Sequence, residues 1–200
     1  MEDSVRVYSA SSLRDFFLLL LLGFLLVAFG TNGSSLAKRA HASNEERGTD
    51  QASITNEVRH QLVMLPFYTL FDNLEYRVQG STVTLMGEVV RPDLKDDAAS
   101  AVKRVQGVET VDNQIKVLPL SPMDDQIRRA EYRAIYSQAN LQMYATRSVP
   151  PIHIIVDHGH VTLEGVVARQ ADKDAAGIAA NGVPNVFSLT NNLRVETAGK

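Results

Sequence analysis

The chain has no cysteine. That excludes disulfides, thiolate chemistry and an acylated N-terminal cysteine, and it leaves the redox compartment open. Surplus charge is lacking too: 20 basic against 23 acidic side chains give a net charge of −3. No region carries the basic excess with which a nucleic-acid binder displaces counterions, so no nucleic-acid partner is expected. No serine, histidine and carboxylate arrangement follows a nucleophile elbow, and no glycine-rich phosphate loop joins a strand to a helix. The expectation is therefore a protein that is not an enzyme, with no cofactor and no small-molecule substrate. What is present is an ordinary globular composition, 44% hydrophobic and 22% charged over 200 residues, with room for one or two modest cores.

The N-terminus carries an unbroken apolar run, Phe16–Phe29, of about 14 residues, preceded by Arg6 and Arg14. A membrane-spanning helix needs about 20 residues and a signal-peptide core about 7 to 15. Residues 1–30 read as a signal peptide, with small residues for cleavage at Ala28/Gly30 or Ala40/Ala42, or as an uncleaved N-terminal membrane anchor. Either places the remainder in the periplasm or cell envelope. Residues 31–53 hold few large apolar side chains to offset the entropy of ordering and read as a disordered linker.

The rest of the chain is a duplication. Val83–Val117 and Val161–Val195 align without a gap at a constant offset of 78, with about 14 of about 35 positions identical. Each copy holds V-T-L-x-G-x-V, a helical stretch and a final strand, and two copies are too few for a solenoid. The first domain spans 54–118. Ile54, Val58, Leu62 and Leu65 recur at helical spacing up to Pro66. Leu74, Tyr76 and Val78 then alternate with polar residues, turn at Gly80-Ser81 and return, with Val78 facing Val83, Tyr76 facing Leu85 and Leu74 facing Gly87. The second domain spans 121–197. It starts on a Ser121-Pro122-x-Asp124 helix signal, and its hairpin pairs Val156 with Val161, Ile154 with Leu163 and Ile152 with Gly165. Gly87 and Gly165 fall on the apolar face, where a missing side chain is expected to let a helix approach the sheet.

The order helix, strand, strand, helix, strand, with V-T-L-x-G-x-V in the second strand, Gly107-Val108 or Asn185-Val186 before the last and Asn113 or Asn191 within it, resembles the BON domain. The resemblance covers nearly everything after Ser53. It implies an α+β fold of two tandem αββαβ domains, each a three-stranded mixed sheet with two helices packed on one face. It also implies a non-catalytic, membrane-associated envelope protein that binds phospholipid and serves envelope maintenance or the stress response. The reading from another class is a protein-interaction module, a scaffold or accessory subunit of an envelope complex without direct lipid binding.

His153, Asp157, His158, His160 and Glu164 suggest a metal site only until the hairpin register is drawn. His153 faces Glu164 and His160 faces Asp157, which holds the histidines apart along the sheet, so these residues read as a solvated polar face with no metal. The helix after Ser121 is more informative. Ile127, Ala130, Ala134 and Ile135 form its expected core side with Glu131 as an exception, while Arg129, Tyr132, Arg133 and Tyr136 share the opposite side with Arg128 beside them. Tyrosine rings at headgroup depth and arginine forks on phosphate make this stripe the candidate contact with an anionic phospholipid surface. Packing of the same face against the first domain is the structural alternative, and an envelope protein is the alternative partner.

Overall fold

The computed structural model describes residues 51–196 together with a two-residue strand, β1, at Val5–Arg6. The apolar run Phe16–Phe29 and most of the expected linker lie outside the described residues. Helix α1 occupies 51–63, so the last residues assigned to the linker are already helical. There follow β2 (Asn73–Gln79), β3 (Thr82–Val89), α2 (Pro92–Lys103), β4 (Thr110–Asn113) and β5 (Lys116–Val117). The second domain repeats the order as α3 (Pro122–Tyr136), a short α4 (Gln142–Ala145), β6 (Ile152–Asp157), β7 (His160–Val167), α5 (Gln170–Asn181), β8 (Ser188–Asn191) and β9 (Arg194–Val195).

Both hairpins have the expected register, Leu74 opposite Gly87 and Ile152 opposite Gly165. The final strand runs parallel to β3 in one domain and to β7 in the other, as a crossover helix requires, which makes each sheet mixed. That strand is interrupted in both domains, and the repeated asparagine explains how. The Asn113 carboxamide donates to the Lys95 carbonyl of α2 (2.9 Å) and accepts from the Ile115 amide (3.2 Å). Asn191 donates to the Lys173 carbonyl of α5 (3.0 Å) and accepts from the Leu193 amide (3.2 Å). One side chain thus supports the kink and ties it to the helix above.

Burial drives the layering. Leu74, Tyr76, Val83, Leu85 and Val89 pack under Val58, Leu62, Leu94, Ala98 and Val102 in the first core. Ile152, Ile154, Val156, Val161 and Leu163 pack under Ile127, Ile135, Ala176 and Ala180 in the second. The helices therefore lie on one face of each sheet, as expected.

The reason for the two sheet glycines is corrected. Gly87 (φ 102°) and Gly165 (φ 130°) hold backbone conformations that L side chains rarely adopt. A Cβ at Gly87 would run into the Asn73 carbonyl, and one at Gly165 into the Pro151 carbonyl. The close neighbour is the backbone of the partner strand or its lead-in, not a helix.

Candidate functional site

Helix α3 is set by its first turn. The Asp124 amide donates to the Ser121 hydroxyl (3.2 Å), and the buried Asp124 carboxylate accepts from the Gly159 (2.8 Å) and His158 (3.0 Å) amides at the tip of the β6–β7 hairpin. The sequence signal named a helix start; the structure adds that the same turn clamps the hairpin. From that fixed end the helix presents Asp124, Ile127, Arg128, Glu131, Ile135 and Tyr136 inward.

Two of the five expected lipid-facing residues are therefore structural. Arg128 is 3% exposed, pairs with Asp125 (2.7 Å) and donates to the Val156 carbonyl (2.6 Å). Tyr136 is 6% exposed, and its hydroxyl donates to the Ile152 carbonyl (3.0 Å). The physical reason is the outer edge of β6, whose carbonyls at 152 and 156 have no strand to pair with on that side among the described residues. Burial raises the Tyr136 phenol well above its ordinary pKa, with the Ile152 hydrogen bond opposing. Between these lies Glu131, fully buried, with neither carboxyl oxygen hydrogen-bonded. Desolvation raises its pKa to about 8. It belongs to the core side to which it was the expected exception.

Arg129, Tyr132 and Arg133 remain exposed. The two arginines, one helical turn apart, line a groove of about 280 Å3 floored by Ile127 and Ala130 and closed by Pro184 and Asn185 beyond α5. Tyr132 stands beside it, its ring 5.1 Å from that of Tyr136. This groove is the part of the stripe that combines a concave shape with exposed guanidinium donors.

The expected solvated face of the second sheet is in part a domain junction. His153, Ile155 and Glu164 are buried there. His153 Nδ1 donates to the Asp72 carbonyl (2.6 Å), and the ring stacks on Tyr68 of the first domain at 5.7 Å. Burial lowers the His153 pKa to about 4, so the ring is neutral around pH 7. The Leu70 carbonyl accepts from the Ile154 amide (2.8 Å), and Lys116 reaches Asp157 (2.6 Å), which also bonds His158. His160 turns to Ser188. Asp72 accepts from Val90 (2.8 Å) and from Thr69, yet burial outweighs these bonds and raises its pKa. Glu88 is also raised, by burial and then by Glu75 and Glu164, with Lys116 opposing. Among the described residues no group of three histidine or carboxylate side chains is placed to hold a metal, and no helix is long and apolar enough to cross a membrane.

Comparison with known proteins finds the BON domain model matching residues 50–119 and again 136–197. The chain is 27% identical over 193 residues to osmotically-inducible protein Y of Escherichia coli (strain K12), covering 88% of this chain and 94% of that one. A solved C-terminal domain of CdsD, a structural protein of the type III secretion system of Chlamydia trachomatis, is 11% identical. That match covers 70% of this chain and 96% of CdsD's, at a TM-score of 0.26 that carries no argument.

Proposed function

Because the chain belongs to the BON domain family and carries its domain twice, we propose that it is an exported, non-enzymatic envelope protein of the stress response. In this reading it associates with anionic phospholipid surface through the exposed part of α3. The observation that carries the lipid reading is the groove between Arg129 and Arg133, closed by Asn185, with half-exposed Tyr132 alongside. Paired guanidinium forks suit a phosphate, and a tyrosine rests its ring at headgroup depth with its hydroxyl in water. Each arginine near an anionic leaflet contributes about 1 kcal/mol, so binding is weak, reversible and sensitive to salt. The apolar run Phe16–Phe29 and the similarity to an osmotically inducible protein support the export and stress parts of the reading.

Co-sedimentation with phosphatidylglycerol and phosphatidylcholine vesicles tests it. Arg129→Glu with Arg133→Glu should abolish binding to the anionic vesicles, and Tyr132→Ser should weaken it at every salt concentration. Arg128 stays out of the set because its charge reversal would damage the fold. Anionic-vesicle binding that survives the double reversal in a folded protein rules the groove out as the lipid site. A wild-type protein that ignores both vesicles leaves the protein-interaction module as the reading.

A further inference from the structure

Between the two domains, the end of α1 and the connection after it face the segment from α4 to the start of β6 across a cleft of about 340 Å3. Val63 from one domain and Met143 from the other stand at this cleft with 37% and 59% of their surface exposed. Met64 and Phe67, close along the chain from Val63, are also more than half exposed. Phe67 further holds a left-handed backbone (φ 66°), rare for a bulky residue. Val63 and Met143 are thus the exposed apolar side chains at the cleft itself, while the Phe67 ring lies outside its lining and carries the Arg91 guanidinium at 4.3 Å.

Deeper in, the cleft offers rings in place of free donors. Tyr68 lies flat against His153, whose Nδ1–H is already given to the Asp72 carbonyl. The Tyr144 hydroxyl donates to Asp172 (2.8 Å) and accepts from the Ala168 amide (2.9 Å). Val149, Pro150 and Pro151 add apolar wall. The apolar part of the lining, Val63, Val149, Pro150 and Pro151 with the Tyr68 ring, favours methylenes over hydroxyl groups along that wall. Arg147 is the cationic residue of the lining: exposed at the cleft, it makes no ion pair among the described residues. Glu196 also lines the cleft, which keeps its net charge near zero and leaves the apolar wall to supply most of the affinity.

We propose that this interdomain cleft binds a single-chain anionic amphiphile, a free fatty acid or a lysophospholipid, with the acyl chain along the Tyr68, Val149 and Pro151 wall and the head at Arg147. The volume lies at the low end of the roughly 300–1,000 Å3 typical of small-molecule sites, enough for one chain and not for a two-tailed lipid. The site shares no residue with the Arg129 and Arg133 groove and does not depend on it.

Calorimetric titration of the full chain with dodecanoate, lysophosphatidylglycerol and lysophosphatidylcholine, each below its micelle concentration, tests the proposal. Dodecanoate should bind saturably at one site. Val63→Glu and Met143→Glu, both at exposed positions, should weaken it tenfold or more without changing the melting curve. Arg147→Glu should weaken both anionic probes severalfold and leave lysophosphatidylcholine unchanged. Binding of dodecanoate without lysophosphatidylglycerol identifies a fatty acid as the ligand, and the reverse identifies a lysolipid; both support the cleft. Absence of saturable binding by all three probes, or binding indifferent to both rim variants, overturns it. Arg129→Glu with Arg133→Glu should retain dodecanoate binding, and Met143→Glu should retain vesicle binding. A variant that loses both would merge the two sites and refute a separate cleft.

Discussion

Replacing Glu131 with methionine should stabilise the second domain, and by more as the pH rises. Glu131 is fully buried, both carboxyl oxygens lack a hydrogen bond, and burial raises its pKa from 4.5 to about 8. Below pH 4.5 the carboxyl is protonated whether the chain is folded or not, so titration costs nothing there. Between 4.5 and 8 the unfolded chain ionises freely while the folded one keeps its proton, and stability falls by about 1.4 kcal/mol per pH unit. Over that window the loss approaches about 5 kcal/mol, a large share of the roughly 5–15 kcal/mol of a typical domain. Urea unfolding of wild type and Glu131→Met, followed by far-ultraviolet circular dichroism from pH 4.5 to 8.5, measures the gap. It should be smallest at pH 4.5 and widen steadily to pH 8. Glu131→Gln should remove the pH dependence while leaving an unsatisfied buried amide. A gap constant across the range would refute the reasoning, since it would mean that the carboxylate is ionised and solvated in the folded state.

His153 should act at the other end of the pH scale. Its pKa falls from 6.5 to about 4 on burial, so the folded state loses about 3 kcal/mol as the pH drops through that window, and unfolding of His153→Gln should lack this loss. Gly87→Ala and Gly165→Ala should each lower stability by about 1 to 3 kcal/mol, because left-handed backbone and a carbonyl in the Cβ position both oppose a side chain. Unchanged urea midpoints would refute that. Asn113→Ala and Asn191→Ala should each cost about 1 to 2 kcal/mol and speed amide exchange at Ile115 or Leu193, the donors that lose their acceptor.

The hairpins were legible because period-two burial leaves only one register in which Leu74, Tyr76 and Val78 all meet apolar partners, and the duplication repeated that evidence at Ile152, Ile154 and Val156. The twin asparagines were visible as a repeat before their role was. The inner side of α3 was not legible, since a helical wheel sorts side chains by polarity and the structure sorts Arg128 and Tyr136 by the carbonyls they reach. Those carbonyls sit at the margin of a sheet whose margin no local pattern reveals. His153 and Glu164 were misplaced for a related reason. A polar sheet face looks the same in sequence whether it meets water or partners within the protein, here the Asp72 carbonyl of the first domain for His153 and the Asn192 carboxamide of the same domain for Glu164.

The closing of the β6 margin has a consequence for how the molecule can be divided. Arg128 and Tyr136 cover its two ends from within the second domain, but the central amide, at Ile154, is satisfied by Leu70 of the first. A fragment starting after residue 119 would lose Leu70 and Phe71 from the edge of its core and present an open strand segment of isoleucines and valine, the kind of margin along which chains recruit one another. The first domain thus supplies the second with a backbone acceptor at a strand edge. A chain cut at the boundary between its repeats should therefore show greater self-association of the second half than the intact protein does, measurable by analytical ultracentrifugation.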